Sequence, residues 1–346
     1  MRFLFFIVSG IILFSCTENA KNPINSVAIT PVFTDSLTIR AILPVSTTSA
    51  WFAANRGVVG LLVDTIPKLA TIKYDEKPLS FRAIAKTSDA VFVLSIESPA
   101  VLYKIGYSGN EATHIEEVYK EEGEGVFYDA MTFWNDKEGI AIGDPLDDCL
   151  SIIITRDGGS TWQKVSCDSL PSIAKGEAAF AASNSNIATF GNHTWVVTGG
   201  MKSRVLYSGD KGRSWQVYTT PIIEGKPMTG IYSVDFYDEK TGIIVGGNWE
   251  DKTFNQGNKA ITHNGGKSWK LLANGEIPGY LSCVQFVPNS DTRKIVAVST
   301  AGIFVSNNQG KHWKQVSQEG FYSIRFVNDT LAFASGKNKI SKLVFK

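Results

Sequence analysis

Short apolar runs recur along the chain. They are Ala50-Trp-Phe-Ala-Ala, Ala90-Val-Phe-Val-Leu, Gly139-Ile-Ala-Ile-Gly, Trp195-Val-Val-Thr-Gly-Gly, Gly242-Ile-Ile-Val-Gly-Gly, Lys294-Ile-Val-Ala-Val and Leu331-Ala-Phe-Ala-Ser-Gly. Each is short enough for a buried strand, and another strand candidate precedes it, such as Tyr232-Ser-Val-Asp-Phe or Tyr322-Ser-Ile-Arg-Phe. No long stretch carries helical periodicity. The runs return about every 47 residues, a spacing that marks an array of small sheets.

Four turn motifs reinforce the repeat. They are Ile154-Thr-Arg-Asp157-Gly-Gly-Ser-Thr-Trp162, Tyr207-Ser-Gly-Asp210-Lys-Gly-Arg-Ser-Trp215, Ile261-Thr-His-Asn264-Gly-Gly-Lys-Ser-Trp269 and Val305-Ser-Asn-Asn308-Gln-Gly-Lys-His-Trp313. Asp or Asn folds its side chain onto backbone amides, Gly supplies positive φ, and Trp starts the next strand and buries apolar surface between layers. The expectation is an all-β, seven-bladed β-propeller. Each motif would turn between the third and fourth strands of a blade. Segment 26–33 would supply the last strand and close the ring, leaving no open edge there.

The first residues read as an address. Arg2 precedes an apolar stretch from Phe3 to Phe14, too short to span a bilayer as a helix, and Leu13-Phe14-Ser15-Cys16 resembles a bacterial lipobox. The expected layout is a signal peptide over 1–15, lipidated Cys16 with a polar tether over 16–25, and the propeller over 26–346. That places the chain in a bacterial cell envelope, anchored by lipid on the periplasmic or outer-membrane face.

Composition narrows the chemistry. The 346 residues hold 34 Lys plus Arg against 33 Asp plus Glu, which gives no general electrostatic case for nucleic acid. The four histidines form no metal or triad pattern, no dinucleotide or phosphate-binding loop is present, and no cofactor is expected. Cys149 and Cys167 flank one hairpin almost symmetrically about Gly158, so a disulfide is expected in an oxidising compartment, with Cys283 a buried thiol.

Aligning the inner strands by apolar pattern gives Thr38-Ile-Arg40-Ala, Ser80-Phe-Arg82-Ala, Ala130-Met-Thr132-Phe, an Ala-rich strand after Glu177, Ser233-Val-Asp235-Phe, Cys283-Val-Gln285-Phe and Ser323-Ile-Arg325-Phe. The third position is polar in most and would face the channel. Arg40, Arg82 and Arg325 would then converge on a carboxylate or phosphate, or else pair with acids such as Asp235 or Glu177. Asp129, Asp144 and Glu177 could form a carboxylate group at one rim, and Asp235 is a fourth acidic candidate for catalysis. Paired, desolvated carboxylates there would favour an enzyme, and an arginine-lined funnel without them would favour binding.

The turn motifs resemble the Asp-box, or BNR repeat, of sialidases, sortilin-type receptors and xyloglucan-type glycoside hydrolases. The whole blade pattern, over roughly residues 37–345, is similar to the photosystem II assembly-factor propellers and their bacterial relatives. Tyr128-Asp-Ala-Met-Thr-Phe-Trp, Gly143-Asp-Pro, Gly176-Glu-Ala-Ala-Phe-Ala-Ala-Ser, Thr198-Gly-Gly and Gly279-Tyr-Leu-Ser-Cys-Val look like secreted BNR-like propellers of Bacteroidetes, often labelled oxidoreductase or glycosyl hydrolase. Sialidases carry Arg-Ile-Pro where this chain has Ile39-Arg40-Ala41, and the xyloglucan enzymes use two propellers where this chain has room for one. The assembly-factor resemblance implies a non-enzymatic binding or assembly module that holds a protein segment or other ligand, and the chain is expected to be a monomer. The alternative is a glycoside hydrolase or lyase acting on an acidic glycan.

Overall fold

The computed structural model describes residues 23–346. The expected signal peptide and Cys16 lie outside the described residues. Among these residues the chain is all β apart from one 3-10 turn at Cys167–Ser169. The strands form antiparallel sheets whose innermost members touch in cyclic order, so the sheets surround a common axis as propeller blades.

The expected count of seven blades is corrected to six. Six sheets have four or more strands, and a two-stranded hairpin, Lys73–Tyr74 with Lys77–Pro78, stands apart. The reason lies in two long strands. Val27–Pro44 pairs through its first half with the end of Leu331–Phe345, with Val27 opposite Phe345, and through its second half with Ser49–Ala54. The runs read as the last and first blades therefore share one six-stranded sheet, ordered Ser323–Phe326, Leu331–Phe345, Val27–Pro44, Ser49–Ala54, Val58–Val63 and Ile66–Thr71. That composite sheet contributes two innermost strands, which is why counting apolar runs overcounts sheets.

Packing follows the apolar runs. Phe52, Phe92, Ile140, Trp195, Ile244, Val296 and Phe333 are fully or almost fully buried. Burying each such side chain stabilises the fold by about 1.5–3 kcal/mol. Neighbouring sheets interlock through clusters such as Phe92, Met131, Ile153 and Trp162.

The four turns share one hydrogen-bond set. Asp157 Oδ1 accepts from Thr155 Oγ1 (2.9 Å) and Thr161 N (3.0 Å), and Asp210 Oδ1 accepts from Ser208 Oγ (2.8 Å) and Ser214 N (2.9 Å). Asn264 Oδ1 accepts from Thr262 Oγ1 and Ser268 N, and Asn308 Oδ1 from Ser306 Oγ and His312 N. The Ser or Thr hydroxyl also accepts the amide of a glycine at positive φ: Gly159, Gly212, Gly266 or Gly310. A Cβ there would be strained and would meet neighbouring side chains. Trp162 and Trp313 are buried, whereas Trp215 and Trp269 are only partly buried.

Candidate functional site

The site begins with an irregularity in the strands. The inner strand of a sheet pairs Ile39 with Ala54 and then Ala41 with Ala53, so Arg40 is an extra residue without a ladder partner. The same slip leaves out Arg82 between Phe81 and Ala83, Asp129 between Tyr128 and Ala130, and Tyr232 between Ile231 and Ser233. A β-bulge re-aims the side chain of its extra residue. All four extra residues line one cavity of about 420 Å³ at one mouth of the channel. Gly143 lies opposite one bulge, where a Cβ would sit 2.2 Å from the carbonyl oxygen of Phe127.

The floor of this cup comes from an unexpected place. The Ala-rich segment after Glu177 is a strand only at Glu177–Ala178, and the chain then leaves the ladder and crosses the channel axis. Ala182 O accepts from Arg40 Nη1 (3.0 Å). Ser183 O and Asn184 O accept from Arg325 Nη2 at 2.9 and 2.8 Å. Ser183 Oγ donates to Ser282 O (2.7 Å), and Ser185 Oγ meets Ser233 Oγ (2.8 Å). Asn184 donates to Ile84 O (2.8 Å) and accepts from Met131 N (2.9 Å). Residues 182–185 thus plug the channel and tie together inner strands from around the ring.

The plug separates two compartments. The cup is lined by Arg40, Arg82, Asp129, Asp144 and the aromatic residues Phe127, Phe180, Tyr232, Trp249 and Tyr280. The other cavity, about 280 Å³, holds Thr132, Asp235, Gln285 and Arg325. Arg40 and Arg82 are therefore brought together, and Arg325 is not. The inner-strand alignment explains the difference. Arg40, Arg82, Asp129 and Tyr232 occupy the bulge, whereas Thr132 and Asp235 lie three residues further along their strands, roughly 10 Å away at about 3.3 Å per residue. Gln285 and Arg325 share that second level.

The second level is occupied by internal bonding. Asp235 Oδ2 accepts from Phe286 N (2.7 Å) and Gln285 Oε1 from Phe326 N (2.8 Å), each carrying a bond from one sheet to the next. Burial pushes the Asp235 carboxyl up to about 6 against the amide bond and Arg325, which lower it. Glu177 is also spent. It accepts from Arg204 Nε and Nη2 (2.9 and 2.6 Å), Thr198 Oγ1 (2.6 Å) and Ala174 N (3.0 Å), with its side chain fully buried. It braces the base of the plug rather than facing the cup.

In the cup the charges are poorly compensated. Neither Arg40 nor Arg82 has a carboxylate at ion-pair distance among the described residues, and Arg40 Nε is buried without a hydrogen-bond partner. The Arg40 guanidinium lies 4.2 Å from the Tyr322 ring centroid, a cation–π contact. Burial, then the neighbouring Arg40, holds Arg82 below its usual pKa. Asp129 is completely buried and neither of its oxygens has a hydrogen-bond partner. Burial first, and the Asp144 charge second, push its carboxyl well above the usual range, against the opposing pull of Arg82. Burial lifts Asp144 to about 6, although its Oδ1 accepts from Ala179 N (2.9 Å). Phe180 and Tyr232 stack at 4.1 Å, and Tyr280 meets Tyr232 edge-on at 4.8 Å. The aromatic wall escaped sequence reasoning because its five members come from five separate places along the chain, four of them in loops. The bulge did leave a trace: Ile39-Arg-Ala-Ile, Phe81-Arg-Ala-Ile, Tyr128-Asp-Ala-Met and Ile231-Tyr-Ser-Val share apolar, variable, small, apolar positions.

Cys149 and Cys167 are joined in a disulfide with Cα atoms 5.6 Å apart, and Cys283 is a buried free thiol. Among the described residues no group of three or more His, Cys, Asp or Glu is placed to hold a metal.

These features define a β-propeller whose channel is plugged by its own chain and whose one mouth is a charged, aromatic-walled cup. No family model and no curated protein matches the chain. Solved structures do match. A structure described as YCF48 bound to D1 peptide is similar with TM-score 0.66 and 13% identity, over 93% of this chain and 97% of that one. The GH74 xyloglucanase from Xanthomonas campestris is similar with TM-score 0.63 and 13% identity, over 91% of this chain and 53% of that one. The Pan2 WD40 domain from Neurospora crassa is similar with TM-score 0.62 and 13% identity, over 91% of this chain and 95% of that one. At these identities the likeness establishes the β-propeller fold.

Proposed function

We propose that this chain is a binding or assembly module whose cup holds a carboxylate of its ligand or partner against Arg40 and Arg82. The observation that carries the reading is the pair of guanidinium groups lining one cavity with no carboxylate in ion-pair contact among the described residues. A planar guanidinium presents paired donors that match a carboxylate. The similar YCF48 structure, which holds a D1 peptide, supports a peptide as one form of the ligand. The Asp/Asn turns support membership of the Asp-box propellers. The apolar run ending at Cys16 supports a lipid anchor in a bacterial envelope.

Hydrolysis of an acidic glycan is the second reading, and the raised Asp144 carboxyl favours it, since a general acid needs such a pKa. Glycosidases use two reachable carboxyl groups. Asp129 has both oxygens sealed from solvent, which leaves Asp144 alone and places binding first.

A thermal-shift titration tests the choice. A peptide with a free C-terminal carboxylate should raise the melting temperature of the parent and leave an Arg40→Ala, Arg82→Ala double variant unmoved. A C-terminally amidated copy should fail with both. Equal shifts for acid and amide would refute the carboxylate site. Release of sugar from a uronate-containing oligosaccharide, lost in Asp144→Asn, would establish the hydrolase instead.

A further inference from the structure

One sheet has an outer strand unlike the others. Elsewhere the outermost strands are short: Ile66–Thr71 has 6 residues, Gln163–Lys164 has 2, Gln216–Thr219 has 4, Lys270–Leu271 has 2 and Lys314–Ser317 has 4. The strand Glu111–Glu121 has 11 residues, lies at the edge of its sheet and is exposed through its first seven positions. A long free edge offers a row of unpaired amides and carbonyls to an incoming strand.

Two further observations give the edge a character. Its first half borders an apolar groove of about 430 Å³ shared with Ile66–Thr71 and lined by Trp51, Leu61, Leu69, Ile72, Ile105 and Ile115. Ile66, Leu69 and Ile115 expose 68%, 48% and 51% of their surface. From Glu111 to Glu124 the chain holds six glutamates and one lysine. Glu111 pairs with Lys68, Glu121 with Lys164 and Glu122 with Lys120, whereas Glu116 and Glu117 have no ion-pair partner among the described residues.

We propose that the free edge of Glu111–Glu121, with the groove beside it, docks an extended segment of a protein partner in which apolar and basic residues alternate. Strand addition would satisfy the edge backbone. The period of two would send apolar side chains toward Leu69 and Ile115, and basic ones toward the opposite face of the strand, which carries Glu116. This surface is separate from the cup and stands whether or not the cup binds a carboxylate.

Fluorescence anisotropy with the full chain in detergent tests it. The probe is a labelled peptide of alternating lysine and valine. Its controls are a glutamate–valine copy, a peptide of the same composition with lysines and valines in two blocks, and a copy whose alternate residues are proline. The alternating basic peptide should bind saturably, and all three controls should bind at least about tenfold more weakly. Glu116→Lys, on an exposed position that leaves the core untouched, should weaken it by about the same factor, as should Leu69→Asp. The proposal is overturned if the block peptide binds equally well, or if neither variant changes affinity. It is also overturned if sedimentation shows the chain dimerising through this edge, with dimerisation lost in Ile115→Asp. The occupant would then be a second copy.

Discussion

The plug makes a sharp prediction at Asn184. This residue sits at φ +54°, donates to Ile84 O and accepts from Met131 N, while Ile84 and Met131 themselves are almost fully buried. Asn184→Gly removes both bonds but keeps the backbone comfortable. Leaving two buried backbone groups unpartnered costs about 1–3 kcal/mol each, and the relief of a positive-φ side chain returns roughly 0.5–1 kcal/mol, so the net loss is about 1–5 kcal/mol. Asn184→Ala loses the same bonds and adds about 1 kcal/mol of left-handed strain. The usual ranking, in which alanine is at least as stable as glycine, is therefore inverted here. Urea denaturation followed by tryptophan fluorescence should give midpoints in the order parent, Gly variant, Ala variant. A Gly variant within about 0.5 kcal/mol of the parent, or an Ala variant above the Gly variant, would show that residues 182–185 do not fasten the ring.

Other expectations rest on separate observations. Arg204→Ala strands the buried Glu177 carboxylate and should cost about 3–5 kcal/mol in the same melts, against a far smaller loss for the exposed pair partner Lys202→Ala. Burial raises the Asp235 carboxyl, so the folded protein holds this proton more tightly than the unfolded chain, and its contribution is fully present below about pH 4 and lost as pH rises through about 6. Asp235→Asn, which keeps an acceptor for Phe286 N, should therefore match the parent at pH 4 and exceed it by up to about 3 kcal/mol at pH 8. A deficit at pH 8 would refute that sign. Reducing the disulfide, which closes a sequence separation of 18, should lower stability by about 3 kcal/mol, measured by denaturation with and without dithiothreitol.

What was legible in the sequence was local. The four Asp/Asn turns close within five residues, from Thr155 to Gly159 or from Ser208 to Gly212, so their chemistry is complete in one short motif. Sheet membership was not local. Whether the pairing of Val27 with Phe345 adds a blade or extends one depends on the unbroken course of two strands from opposite ends of the chain. The site failed by register. Arg40 and Arg325 each follow an isoleucine, yet Arg40 lies on a bulge and Arg325 pairs regularly with Phe333. Only strand pairing separates those environments. The plug was misread for the opposite reason: Ala178-Ala-Phe-Ala-Ala has the apolarity of an inner strand, but its small side chains let the chain itself occupy the axis.

The cup has a built-in charge balance, and its consequence can be measured. Arg40 and Arg82 face Asp129, Asp144, Tyr232 and Tyr280, with Tyr322 against Arg40. Burial pushes the tyrosines Tyr232 and Tyr280 further from ionisation, and Asp129 is raised well above the usual carboxylate range. Asp144, raised to about 6, changes its charge between mild acid and neutrality. Protonating it removes one negative charge from beside the proposed anion site. For unit charges roughly 10 Å apart at an effective dielectric constant of about 20, that is worth about 1–2 kcal/mol. A carboxylate ligand should therefore bind roughly five- to thirtyfold more tightly at pH 5 than at pH 8, since its own carboxyl, near 4, stays ionised across that range. Calorimetric titration of the free-acid peptide at both pH values reads the change directly. Asp144→Asn should hold the affinity at its acid value throughout. If affinity instead rose with pH, or if the variant kept the parent's dependence, the anion would not be sitting beside Asp144, and the two arginines would be partners of the plug rather than of a ligand.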